Sequence, residues 1–285
     1  MQDRKVFLYY FLAVGMILFP ILNLLSFVPM VILYKKSNFR TYVLFSGLFF
    51  VLSLFVLGNF TSLIPIFISF IMIKGMDANK DGYVILLGSS LAMTILIVSD
   101  FMLLKLNANS YETFLKVMTE FLESYPNYKE VLNIESVEVF VNKMMTIYPS
   151  VSFGISFIFC ALGYSFLSKR VYKFDRNSDD FITPFDSKFA FFSIAILAVM
   201  IFVNINGVEK FYEVYLICLN LLIAFISIMI VQGFIKLNAL LSKKTNKIVA
   251  NILSFISIFF AIIYSVYFIY GIYSSIKRGV KWERN

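Results

Sequence analysis

Residues 211–235 read FYEVYLICLNLLIAFISIMIVQGFI, a stretch with a single charge near its start. Crossing about 30 Å of hydrocarbon takes roughly 20 residues of helix. A spanning segment must also satisfy its own backbone, which a helix does. Residues 82–105 and 188–206 are of the same kind. Working outward gives eight apolar segments: 6–34, 41–57, 60–74, 82–105, 148–168, 188–206, 211–235 and 248–276. The predicted fold class is all-α, a polytopic transmembrane bundle of about eight spans.

Composition agrees. Of 285 residues, 60% are apolar and 15% charged, and mean hydropathy is +0.84. Soluble domains carry about 45–50% apolar and about 25% charged residues. This excludes an ordinary soluble enzyme, and a disordered chain, which would need low hydrophobicity. Continuous apolar runs exclude an outer-membrane barrel, whose strands alternate. There is no His, so the commonest general base and metal ligand is missing. Cys160 and Cys218 lie inside apolar runs, where neither a disulfide nor zinc is expected. The net charge of +8 sits in short loops. It points to orientation in a bilayer rather than to nucleic acid.

The first run holds Pro20 and Pro29, with Asn23 and Ser26 between them. It reads as one bent span or as a span with a short returning segment. It follows Arg4 and Lys5 with no A-x-A site after it, so it is expected to be an uncleaved first helix. Loops 35–40, 169–187 (which includes Arg176) and 236–247 are rich in Lys and Arg and are expected in the cytoplasm. Loops 58–59, 106–147 and 207–210 then lie outside. A single pass through 248–276 would carry Lys277, Arg278, Lys281 and Arg284 outside, so either that run bends back or the tail is tolerated there.

Residues 1–285 read as one membrane-embedded domain with an amphipathic extracytoplasmic insertion at 106–147. Tyr111, Phe114, Leu115, Met118, Leu122 and Tyr125 recur at helical spacing, with Asn109 and Glu112 as an expected cap and Pro126 as the stop. Ile134, Val137, Phe140, Val141, Met144 and Tyr148 form a second stripe, and Pro149 opens the next span. The insertion is net acidic, unlike interfacial helices. It is expected to close over the outer mouth of the bundle, hinged on Asn107, Asn109, Asn127 and Asn133.

The candidate site residues are the polar groups inside apolar runs. Asp100 lies in ILIVSDFMLLKL (95–106), on a face shared with Gly88, Ala92 and Leu96. Intramembrane carboxylates often mark ion paths; the alternative is a helix end that reaches water or Lys105. Asn23, Asn220 and Gln232 either line a solute pocket or glue helices together. Tyr264, Tyr267, Tyr270 and Tyr273 step every third residue along the last run, with Tyr267 taken as a ligand-stacking candidate and ordinary packing as the alternative. There is no phosphate loop, no H-E-x-x-H and no G-x-S-x-G. The expectation is therefore no enzyme, no cofactor and no metal.

Five motifs occur in a definite order: FPILNLLSFVPMVILYKKSNFR (19–40), IYPSVSF (147–153), SKRVYKFDRNSDDFITPF (168–185), VQGF (231–234) and GIYSSIKRG (271–279). Together they resemble the YybS-like bacterial membrane proteins, a family of unknown function. That family is distantly similar to the substrate-binding subunits of energy-coupling factor transporters. The resemblance implies capture of a small solute in a bacterial inner membrane, with separate ATPase and scaffold subunits as partners besides the bilayer. Those subunits often dock through A-x-x-x-A on the first helix, where this chain has Ala13 and Ile17. The alternative function is a non-transporting membrane scaffold that recruits other proteins.

Overall fold

A computed structural model describes residues 2–57, 61, 63–132, 136–174, 178–257 and 260–282. Loop 58–59, Asn133, Ile134, Arg176 and Arg284, named above, lie outside them. The described residues are almost all helical and contain no strand.

The first run resolves into helix α1 (Gln2–Ile17), a short α2 (Pro20–Asn23) and α3 (Phe27–Lys36). Pro20 sits in the first turn of α2, where its missing N–H costs nothing. The chain turns back there: Ser26 Oγ donates to the Ala13 carbonyl at 3.3 Å, and Met30 and Leu33 meet Tyr9, Tyr10 and Ala13. The run is thus a helix with a returning segment.

Helices α4 (Phe39–Leu57) and α5 (Leu63–Asp77) follow as an out-and-back pair, because Lys35 in the last turn of α3 meets Asp77 at the end of α5. Next come α6 (Gly82–Leu106), α7 (Ala108–Glu123), α8 (Tyr128–Leu132) and α9 (Val137–Arg170). After α9 the chain continues through α10 (Ser187–Asn206), α11 (Tyr212–Lys244), α12 (Lys247–Ser257) and α13 (Ala261–Trp282). Five of the described helical segments are long and apolar enough to cross a membrane: α4, α6, α9, α10 and α11. The remaining expected spans are short or broken. The α5 helix has 15 residues, about 22 Å of rise.

The expected pass through 248–276 is two helices, α12 ending at Ser257 and α13 beginning at Ala261, and the second of them packs along α11. Arg278 donates to the Ile182 carbonyl at 2.6 Å and lies 5.1 Å over the Tyr83 ring. The Phe185 N–H donates to the Ser275 carbonyl at 3.0 Å. The C-terminal turns of α13 therefore share one end of the bundle with the segment after α9 and the start of α6. Of the two alternatives for 248–276, the chain takes the bend.

The core lies where α3, α5, α6 and α9 meet. Phe27, Ile68, Met72, Leu86, Met93, Tyr164 and Leu167 are all fully buried there. Gly163 lets α9 approach α3 closely, since a Cβ there would enter the Phe27 ring. Outward faces are apolar instead of polar: Phe55 is 85% exposed, Ile205 78% and Phe191 74%. Soluble proteins seldom show contiguous apolar patches of this kind; in a bilayer, lipid covers them.

Candidate functional site

The two helices expected to close over the mouth of the bundle instead pack on each other and rise from it as a stalk. Asn107 ends α6 and caps α7, its side chain accepting from the Ser110 N–H at 3.3 Å. The cap is therefore Asn107, two residues before the expected Asn109. The second amphipathic stretch is no independent helix either. It is the first part of α9, which continues past Pro149 for 34 residues in all, about 51 Å. The two stripes bury each other: Leu122, Val137 and Val141 form a small second core with Tyr111, Phe114, Leu115, Met118, Tyr128, Phe140 and Met145. Met144, expected to face inward, is 49% exposed, and Met145 takes its place. Glu120, Glu123, Glu130 and Glu138 are exposed.

At the outer end of this stalk lies a cleft of about 300 Å³. Leu115, Thr119 and Glu123 supply one wall, four residues apart on α7. Tyr128 and Lys129 come from α8, and Ser136, Val137 and Glu138 from the start of α9. In the sequence Leu115 and Val137 read only as apolar stripe positions, and no binding role is assigned to any of the lining residues. The signal of the others is their place on the polar edge of the two stripes.

The predicted site residues do not converge on this cleft. Asn220 clasps α9 beside Pro149. Its Nδ2 donates to the Thr146 carbonyl at 2.6 Å, and its Oδ1 accepts from the Ser150 N–H at 3.2 Å. In an unbroken helix those two backbone groups would bond each other. Proline kinks the helix there, and the carboxamide fills the gap. Gln232 is fully buried; its Nε2 donates to Thr183 Oγ1 at 2.7 Å and its Oε1 accepts from Ser275 Oγ at 3.0 Å. Tyr267 is buried nearby on α13, with its phenol against Ser257 and its ring edge-on to Phe234. Gln232 and Tyr267 thus share the α11–α13 contact, where Tyr264 and Tyr273 are exposed. Asn23 is buried at the α2 turn, 3.5 Å from Ser26 Oγ. Asp100 is half-buried near the end of α6, beside Phe101, whose ring packs on Tyr148 at 4.8 Å. Asp100→Asn is expected to shift the melting temperature by less than about 1 kcal/mol would; a larger shift would mark it as a buried, working carboxylate.

Inside the bundle the cavity beside Tyr42 and Ser46 has about 10 Å³, room for no more than one water. At the basic end, Asp77 accepts from Lys35 Nζ at 2.9 Å and from Tyr34 OH at 3.0 Å, and Lys35 lies 4.3 Å over the Tyr172 ring. Burial pushes the Asp77 carboxyl up, but the hydrogen bonds from Lys35 and Tyr34 outweigh it and leave it below its ordinary value. Burial, with the Asp77 charge second, pushes the Tyr172 phenol up. A depressed carboxyl stabilises the fold above its unfolded value and loses that effect as pH falls through the folded one. Asp77→Asn should therefore lower stability at neutral pH by ~0.2–1 kcal/mol. The gap to the parent should close below the ordinary 3.8. A gap that stays constant through acid titration would show that the ion pair contributes nothing.

Among the described residues no group of three or more acidic or Cys side chains could hold a metal. No curated protein and no solved structure matches the chain. A family model does, and it extends from the first helix to α13: the chain belongs to the family described as Predicted membrane protein (DUF2232), matched over residues 6–273.

Proposed function

We propose that the chain captures a small solute and passes it across a bacterial inner membrane, as the binding subunit of a larger transporter. The observation that carries this reading is the stalk cleft. Its volume of about 300 Å³ stands at the lower end of small-molecule sites, and charged and aromatic groups share its walls. The resemblance of its motifs to energy-coupling factor subunits would imply separate ATPase and scaffold proteins as the energy source. Ala13 and Ile17 are each 2% exposed, so such partners would dock on a face other than theirs.

Lys35, Arg40, Lys169, Arg170 and Lys173 gather at the end opposite the stalk. By the positive-inside rule that end is cytoplasmic and the cleft is extracytoplasmic. Ser178→Cys, with Cys160 and Cys218 replaced, should resist impermeant thiol reagents in whole cells. Strong labelling there would reverse the orientation.

One observation favours the scaffold reading. Asn220, Gln232 and Tyr267 all make helix-to-helix contacts, and the cavity beside Tyr42 and Ser46 is water-sized. Native mass spectrometry after gentle purification separates the two. Solute capture predicts a small-molecule adduct that Thr119→Trp, filling the cleft, removes. A bare polypeptide mass accompanied by stoichiometric partner proteins would favour the scaffold.

A further inference from the structure

We propose that the stalk cleft binds a small amino acid bearing an extra ammonium group, the class of the basic amino acids. The inference rests on the solute-capture reading and adds its substrate class. Lys129, Glu123 and Glu138 border one void of about 300 Å³. Among the described residues Lys129 makes no ion pair with either carboxylate. Charges of both signs, held apart around a space, match a ligand whose own charges are held apart.

The hydroxyls divide the same way. Ser136 Oγ already accepts from the Val139 N–H at 3.2 Å, so its proton is free to donate. Together with Lys129, which lines the same cleft, it suits a carboxylate. Thr119 Oγ1 spends its proton on the Leu115 carbonyl at 2.8 Å, so its lone pairs remain to accept. One α-helical turn away, Glu123 supplies a formal charge for an ammonium, and Glu138 supplies a second. Two carboxylates against one lysine leave a net negative site, which attracts a cationic ligand and repels an anionic one. Leu115, Val137 and the half-buried Tyr128 ring give the methylene chain an apolar wall. The cleft has room for a single amino acid.

Isothermal titration of the full chain in nanodiscs tests this, with L-lysine, L-alanine and L-glutamate as probes. L-lysine should bind up to about fivefold more tightly than L-alanine, the upper end of what one exposed ion pair contributes, and L-glutamate should bind weakest. The Glu123→Gln/Glu138→Gln double variant should lose roughly that advantage, bringing L-lysine to about the affinity of L-alanine. Lys129→Gln should weaken L-lysine and L-alanine alike. These positions are exposed, so unchanged melting temperatures will show that the variants fold. Failure of L-lysine to bind at millimolar concentration, or binding that ignores the double substitution, overturns the assignment. If another solute then appears as an adduct that Thr119→Trp removes, capture stands and only the class falls. If neither probe nor adduct binds, both fall.

Discussion

Gly233→Val should separate α13 from α11 and lower the melting temperature by ~10 °C, the effect of about 3 kcal/mol or more of overpacking. A Cβ at Gly233 would coincide with the Tyr267 carbonyl, and one at Gly271 with the Met229 carbonyl. These are backbone atoms in helices, which cannot swing aside as a side chain can. The same contact holds the Gln232–Thr183–Ser275 hydrogen bonds, so forcing the helices apart also strips partners from a fully buried carboxamide. Gly88→Ala is the control. Nothing lies within 4 Å of a Cβ there, and alanine is the better helix former by roughly 0.5–1 kcal/mol. Melting curves in one detergent should show the first variant collapsing and the second unchanged or improved. Equal behaviour of the two would remove the close helix contact from the account.

The second large effect is expected at Asn220. Asn220→Leu keeps the size but leaves the Ser150 N–H and the Thr146 carbonyl without their partner. Unpaired polar groups in a low-dielectric interior cost about 1–3 kcal/mol each, while interhelical bonds in membranes measure ~0.6–2 kcal/mol. A loss of about 2 kcal/mol follows. The diagnostic is the double variant. Pro149→Ala lets α9 straighten and the two backbone groups bond each other, so Pro149→Ala/Asn220→Leu should be less damaged than the sum of the single changes. Strict additivity would mean that Asn220 acts only through packing.

The long apolar helices were legible because their evidence is local. Residues 82–105, 188–206 and 211–235 contain enough apolar length to reveal themselves as α6, α10 and α11. Pro149 shows where locality fails. A proline after an amphipathic stripe reads as a helix start, yet α9 passes through it, with Asn220, about seventy residues away, bonding the backbone groups of the adjoining turn. Likewise 248–276 has the length and hydropathy of one span. Its second helix docks Gly271 and Ser275 on α11, a contact that hydropathy does not register. For the candidate site, the sequence singled out Gln232 and Tyr267 but not their partners Thr183, Ser275 and Ser257, so glue and pocket looked alike. The cleft residues were hidden for a different reason. Glu123, Lys129 and Glu138 are ordinary surface charges until two helices are folded side by side.

The α9 helix is also an elbow with a brace. Its 34 residues divide at Pro149 into an outer limb of about 18 Å, which carries Ser136 and Glu138 at its tip, and an inner limb of about 32 Å, which ends beside Tyr172 and Lys35. A free proline joint would let the outer limb swing. Here Asn220 spans the joint and belongs to α11, so the angle of the limb is set by where α11 stands. A small slide of α11 would turn the outer limb as a lever turns on its pivot, and the tip, being farthest from the joint, would travel most.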